Sequence, residues 1–148
     1  MNRRGKVLQS NLKASRESKP KIESKISISL QYLSANKQRN FDFFAKNFRD
    51  KATSLDSFIK FVQRLTSKTQ LEISALSKTD DCGFEQMPFA QINCNPHGVT
   101  LGKDTKICVF RFGERDDSDK YRVLGFFDNK QPILHIIGFD FDYSAYKH

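Results

Sequence analysis

The 148-residue chain has no apolar run near the ~18 to 20 residues that cross a bilayer, which excludes a membrane-spanning helix. No apolar stretch follows the basic N-terminus, so no secretory signal is expected and a soluble, cytoplasmic protein without a membrane partner is the default. Cysteine is scarce: three residues, an odd number, whose spacing suggests no disulfide framework. Reduced thiols fit the same compartment. Heptad and Gly-X-Y periods are missing, so coiled coil and collagen are excluded as well, and no segment repeats. Phosphate-cradling glycine motifs, paired zinc-binding histidines on a helix and a serine nucleophile elbow are all absent.

Positive charge is what the chain has in excess, and it is unevenly spread. Lys plus Arg number 25 against 17 Asp plus Glu, a net charge of +8. The first 25 residues carry eight basic and two acidic side chains, leaving only +2 for the remaining 123. That segment holds no aromatic residue. Val7, Leu8, Leu12 and Ile22 are too sparse to make a core among Arg3, Arg4, Lys6, Lys13, Arg16, Lys19, Lys21 and Lys25. Residues 1–25 therefore read as a flexible basic arm that folds, if at all, as a short amphipathic turn on a partner. These eight cations are the candidate nucleic-acid contacts, weak and without sequence preference because no ring is interleaved to stack on bases. All fourteen Phe lie after residue 40, which makes residues 26–148 one domain.

Within that domain, the residues from Ile26 to Leu33 alternate apolar and polar and predict a first strand. Phe41, Phe44, Ala45 and Phe48 recur at helical spacing over about 38–50, with Asn40 as N-cap. Leu55, Phe58, Ile59, Val62 and Leu65 form a stripe after a start at Thr53, predicting a helix with Phe58 and Val62 in the core. Thr69-Gln70-Leu71-Glu72 has capping-box spacing and leads Leu71, Ala75 and Leu76 into a short third helix, ended by 80–83. The period then changes to two. The segment from Phe84 to Ile92 contains Pro88, which lacks an amide hydrogen and so belongs on an edge strand or at a bulge, and 93–98 is a loop. Lys106 to Phe112 is a strand, 113–120 a charged connection. Tyr121 to Phe127 and Pro132 to Phe139 pair as a hairpin across 128–131. The expected fold is α+β: one strand, two to three helices, then a mainly antiparallel sheet of three to four strands.

Two groups of side chains carry candidate chemistry. Cys82, Cys94, His97 and Cys108 match no zinc spacing, and Cys108 in an apolar strand behaves as a small hydrophobe, so neither metal nor cofactor is expected. Arg111, Arg122, His135, Tyr143, Tyr146 and His148 all fall within the last 38 residues. Cleaving RNA without a metal needs a base for the 2′-hydroxyl, a cation for the phosphorane and an acid for the leaving 5′-oxygen. Arg supplies planar phosphate donors, His either proton transfer, and Tyr a donor or a stacking face. The alternative for His135 is a core-edge histidine bonded to a carbonyl, and for Arg122 a strand flank. The Arg-to-His spacing of HEPN-type ribonucleases is not found.

The order of elements, with Phe110-Arg111-Phe112-Gly113, Lys120-Tyr121-Arg122-Val123-Leu124, an acidic turn, Leu134-His135-Ile136-Ile137-Gly138 and Tyr143-Ser144-Ala145-Tyr146, resembles the RelE/ParE superfamily of small toxins. Many of these cleave mRNA on the ribosome. The resemblance aligns Arg122 with the arginine opening the family's penultimate strand, Tyr146 with its C-terminal tyrosine, and Arg111 with its upstream basic position. After Gly138 the family places basic residues, where this chain has Phe139-Asp140-Phe141-Asp142. The resemblance implies a metal-independent endoribonuclease toxin acting on RNA, with the ribosome and a cognate antitoxin as partners. In the nuclease reading Arg122 and Arg111 hold phosphate, His135 and His148 serve as acid and base, and Tyr146 orients the substrate; either His135 or His148 substitutes for the missing cation, or the activity is altered or lost. The alternative is a non-catalytic module that binds nucleic acid or an acidic protein through the arm.

Overall fold

Serine and isoleucine alternate at the start of the domain, but only Ser27–Ser29 is strand (β1), because only these residues find a partner strand. The chain then turns, Leu33 N donating to Leu30 O at 3.1 Å. The computed structural model describes residues 24–47, 51–77, 83–113 and 121–147. Arm residues Arg3 to Lys21, the 114–120 connection, Phe48, Cys82 and His148 lie outside the described residues. Lys25 lies inside them: it bridges Thr69 and its Nζ donates to Ser67 O at 2.7 Å.

The expected first helix divides in two. Asn36 caps a single 3-10 turn at Lys37–Arg39, and α1 spans Phe41–Asn47 with Asn40 Oδ1 accepting from the Asp42 amide at 2.9 Å. The second helix, α2, runs over Lys51–Thr66, and here the expected face is wrong by part of a turn. Leu65 of the expected stripe is fully buried and Phe58 and Val62 pack against the core, but Leu55 and Ile59 are 45% and 46% exposed and Phe61, outside the stripe, is fully buried beside Ser54 and Ser57. Rings bury more area than Leu or Ile, and they decide the rotation. Phe61 meets Phe110 and Phe112, while Phe58, partly buried, packs on Phe41, Phe112 and Phe139. The small serines let the helix approach the sheet. Helix α3, Gln70–Ser74, has both halves of the capping box: Thr69 Oγ1 accepts from Glu72 N at 3.1 Å and Glu72 Oε1 from Thr69 N at 3.3 Å. It ends six residues before the expected stop, with Ile73 rather than Leu71 inside.

Strands β2 (Phe84–Pro88), β3 (Lys106–Phe112), β4 (Tyr121–Phe127) and β5 (Ile133–Asp140) complete a five-stranded sheet of order β1-β5-β4-β3-β2. The four strands after the helices match the expected three to four, and the early strand β1 joins them as a fifth. The β1–β5 pair is parallel and every other pair antiparallel. Pro88 lies on edge strand β2, where a missing amide hydrogen does no harm. The helices cover one face of the sheet, around Phe61, Phe110, Phe112, Val123, Ile136 and Phe139. The other face carries Ile107, Val109, Leu124 and Ile137 and is covered by Ile92, Cys94 and Ala145, from the loop after β2 and from the tail.

One irregularity positions the C-terminal residues. Leu124 pairs with Gly138 but Gly125 with Ile136, so Ile137 is an extra residue in β5. The bulge shifts the alternation by one. Phe139 and Phe141 then face the helices and Asp140 the other side. No helix among the described residues is long and apolar enough to cross a membrane.

Candidate functional site

On the helix-free face, the period of two puts Glu85 of β2, Arg111 of β3 and Arg122 of β4 beside Val109 and Leu124. Arg111 and Arg122 are direct cross-strand partners. Like charges opposite one another are unfavourable unless an anion or carboxylate compensates. Arg122 is only 4% exposed. Its Nε donates to Tyr146 Oη at 3.2 Å, and Oη in turn donates to Glu85 Oε1 at 3.1 Å. Burial pushes the Tyr146 phenol up to about 12; Arg122 opposes this and Glu85 adds to it. The phenol is therefore a neutral donor at physiological pH. The Tyr143 ring lies over the Arg122 guanidinium, 5.3 Å from centroid to Cζ.

What brings the two tyrosines here is a clasp that the sequence reading missed. Arg39, 1% exposed, reaches from the 3-10 turn into the tail. Its Nε donates to Asn93 O and its Nη2 to Ser144 Oγ, both at 2.8 Å, while Nη1 lies 3.8 Å from Asp140 and 3.5 Å from Asp142. Gln38 Nε2 adds bonds to Asp142 at 2.8 Å and Ser144 at 3.0 Å. Asp140 Oδ1 accepts from Ser144 N at 3.0 Å, closing the turn. Within it Tyr143 has φ of 61°, a left-handed conformation that a non-glycine residue holds only when its surroundings impose it. The two aspartates standing where basic residues were expected thus compensate Arg39. A faint signal was present: Asp140 sits between two buried phenylalanines in a strand, where a charge needs a partner.

His135 does not join this group. It pairs with Phe126, four residues along β4 from Arg122 and on the order of 13 Å away at strand rise. Its ring is 7% exposed, packed 4.9 Å from Tyr32 and 5.2 Å from Phe126, with Nε2 3.6 Å from Asp128. Asp128 also accepts the Lys130 amide at 2.6 Å and the Gln131 amide at 3.0 Å, which hold its carboxyl below the usual range. This histidine ties the β4–β5 turn to the sheet. Strands β4 and β5, which carry Arg122 and His135, lie in the interior of the sheet and not at its edge. His148 is outside the described residues. Glu85, absent from the sequence reading, enters because β2 and β4 flank β3.

Among the described residues, no three His, Cys, Asp or Glu side chains gather as metal ligands. Cys94 and Cys108 lie in the cores on opposite faces of the sheet, and burial pushes each thiol up to about 11. No family model matches this chain, and no curated protein or solved structure matches it.

Proposed function

We propose that the helix-free face around Arg122 binds RNA phosphodiester and that the protein is a metal-independent endoribonuclease of RelE-like type. The observation that carries this reading is the chain Arg122–Tyr146–Glu85 beside the directly opposed Arg111. Glu85 takes the 2′-hydroxyl proton, and the 2′-oxygen attacks phosphorus to give a cyclic phosphate. Arg122 and Arg111 stabilise the phosphorane charge. Tyr146 gives its proton to the departing 5′-oxygen, and the proton on Glu85 passes back along their hydrogen bond to reset the pair. Tyr143, 41% exposed, offers a stacking face for a neighbouring base. The acid and base roles thereby move from His135 and His148 to Tyr146 and Glu85. Ribosome-bound mRNA as substrate, an antitoxin as partner and a cytoplasmic location belong to the same proposal.

The test is cleavage of free and ribosome-bound RNA by the purified chain in EDTA. Glu85→Gln, Tyr146→Phe and Arg122→Ala should each lower the rate by ~100-fold or more, as expected for loss of a proton-transfer or charge-stabilising group. Arg122→Lys should recover little, since a point charge does not reproduce the planar fork. His135→Ala should change stability more than rate. Absence of cleavage by the wild-type chain sinks the nuclease reading. A binding module then stands in its place, favoured by the near-complete burial of Arg122 and by the engagement of Asp140 and Asp142 with Arg39.

A further inference from the structure

A cavity of about 390 Å³ lies at the far end of the same strands, and neither Arg111 nor Arg122 lines it. Phe127, which lines it, is five residues along β4 from Arg122, roughly 17 Å at strand rise. The walls are unusual in carrying three carboxamides, Gln70 at the start of α3, Gln86 on β2 and Asn129 in the β4–β5 turn. Lys106, at the first residue of β3, is exposed and supplies a cation. Cys108 Sγ accepts from Gln86 Nε2 at 3.6 Å, which fixes that carboxamide against the wall. Gln70 Oε1 is shielded from solvent and accepts no hydrogen bond. A buried acceptor without a donor is unfavourable, and turning the Gln70 carboxamide into the adjoining cavity, toward a ligand that brings an N–H, relieves it.

Carboxamides recognise the donor and acceptor edges of nucleobases, aromatic rings stack on their faces, and lysine binds the attached phosphate. A cavity of this size lies within the range that holds small organic ligands, about 300 to 1,000 Å³. We propose that this cavity binds one unpaired nucleobase, its ring against Phe127, an N–H on Gln70 Oε1 and its phosphate at Lys106. The proposal goes beyond the nuclease reading, because nothing in it requires Arg122 or cleavage. The base comes either from a free nucleotide or from a single-stranded RNA, and both present the same chemistry.

The experiment titrates the full chain with AMP, CMP, GMP and UMP, with ribose 5-phosphate as the baseless control, and with a non-cleavable 2′-O-methyl RNA hexamer. Amide chemical shifts and calorimetry report binding. At least one nucleotide or the hexamer should bind ten times more tightly than ribose 5-phosphate. Gln70→Met, which keeps the shape and removes the acceptor, should weaken that ligand at least tenfold, as should Lys106→Ala on the exposed rim. Binding of mononucleotides marks a free-nucleotide site; binding of the hexamer alone marks a strand subsite. If no probe binds at millimolar concentration, if ribose 5-phosphate binds as well as the nucleotides, or if Gln70→Met changes nothing, the proposal is overturned.

Discussion

Replacing Arg39 by Met should be among the most destabilising single changes in the chain, although no sequence pattern marks the position. The substitution keeps the buried stem and removes the guanidinium, and with it the 2.8 Å bonds to Asn93 O and Ser144 Oγ. It also leaves Asp140, 0% exposed, without the cation 3.8 Å away. Removing one partner of a buried ion pair costs about 3 to 5 kcal/mol, because the remaining charge loses its compensating cation in low dielectric; the Ser144 amide bond to Asp140 persists and places the loss toward the lower end. The two lost hydrogen bonds fall within that figure rather than adding to it, since all belong to one network. Against a total stability of roughly 5 to 15 kcal/mol the loss is large. Urea unfolding followed by far-UV circular dichroism measures it. Asp140→Asn in the Arg39→Met background removes the buried charge that Arg39 had compensated, so the double variant should lose at least ~1 kcal/mol less than the two single losses combined. A single-variant loss under about 1 kcal/mol, or strictly additive losses, would refute the idea that this pair anchors the tail. Because the tail carries Tyr146, Arg39→Met should also lower any RNA cleavage while touching no substrate.

Phe61→Ala should cost about 3 to 5 kcal/mol and Ile59→Ser within about 0.5 kcal/mol, and the reverse ranking would mean that α2 presents the other face. Gly138→Ala should destabilise by about 1 to 3 kcal/mol in thermal or urea unfolding, because its Cβ would stand 2.6 Å from Cys94 Sγ. Adding Cys94→Ala should recover part of that loss, and an unchanged double variant would show that the collision lies elsewhere. Partial burial pushes the Asp142 carboxyl up, but bonds from Ser144 and Gln38 and the Arg39 charge outweigh it and hold the group below its ordinary 3.8. Asp128 is depressed too, first by the Lys130 amide. Depressed carboxyls contribute stability that is complete above their unfolded values and lost as pH falls through the folded ones. Urea midpoints should therefore be level from neutrality to about pH 5 and fall below about pH 4, a fall that Asp142→Asn makes shallower. A midpoint at pH 3 equal to that at pH 7 would contradict this.

Local pattern determined most of the elements. Alternation fixed β3, β4 and β5 to within a residue or two, Pro88 marked the edge strand, and Thr69 with Glu72 marked the start of α3. Each of these signals acts between residues a few positions apart, which is why the chain itself displays it. Arg122 and Tyr146 were legible as residue types but not as neighbours of Glu85. Tertiary structure alone decided three things. The face of α2 was settled by rings from β3 and β5, not by the helix's own stripe. The bulge at Ile137, which turns Asp140 away from the helices, depends on the register with β4. The clasp joins Arg39 to aspartates about a hundred residues later, and His135 parts from Arg122 because they sit at opposite ends of paired strands. Such contacts depend on which strands pair and in what register, and a one-residue shift there reverses the face of every side chain that follows.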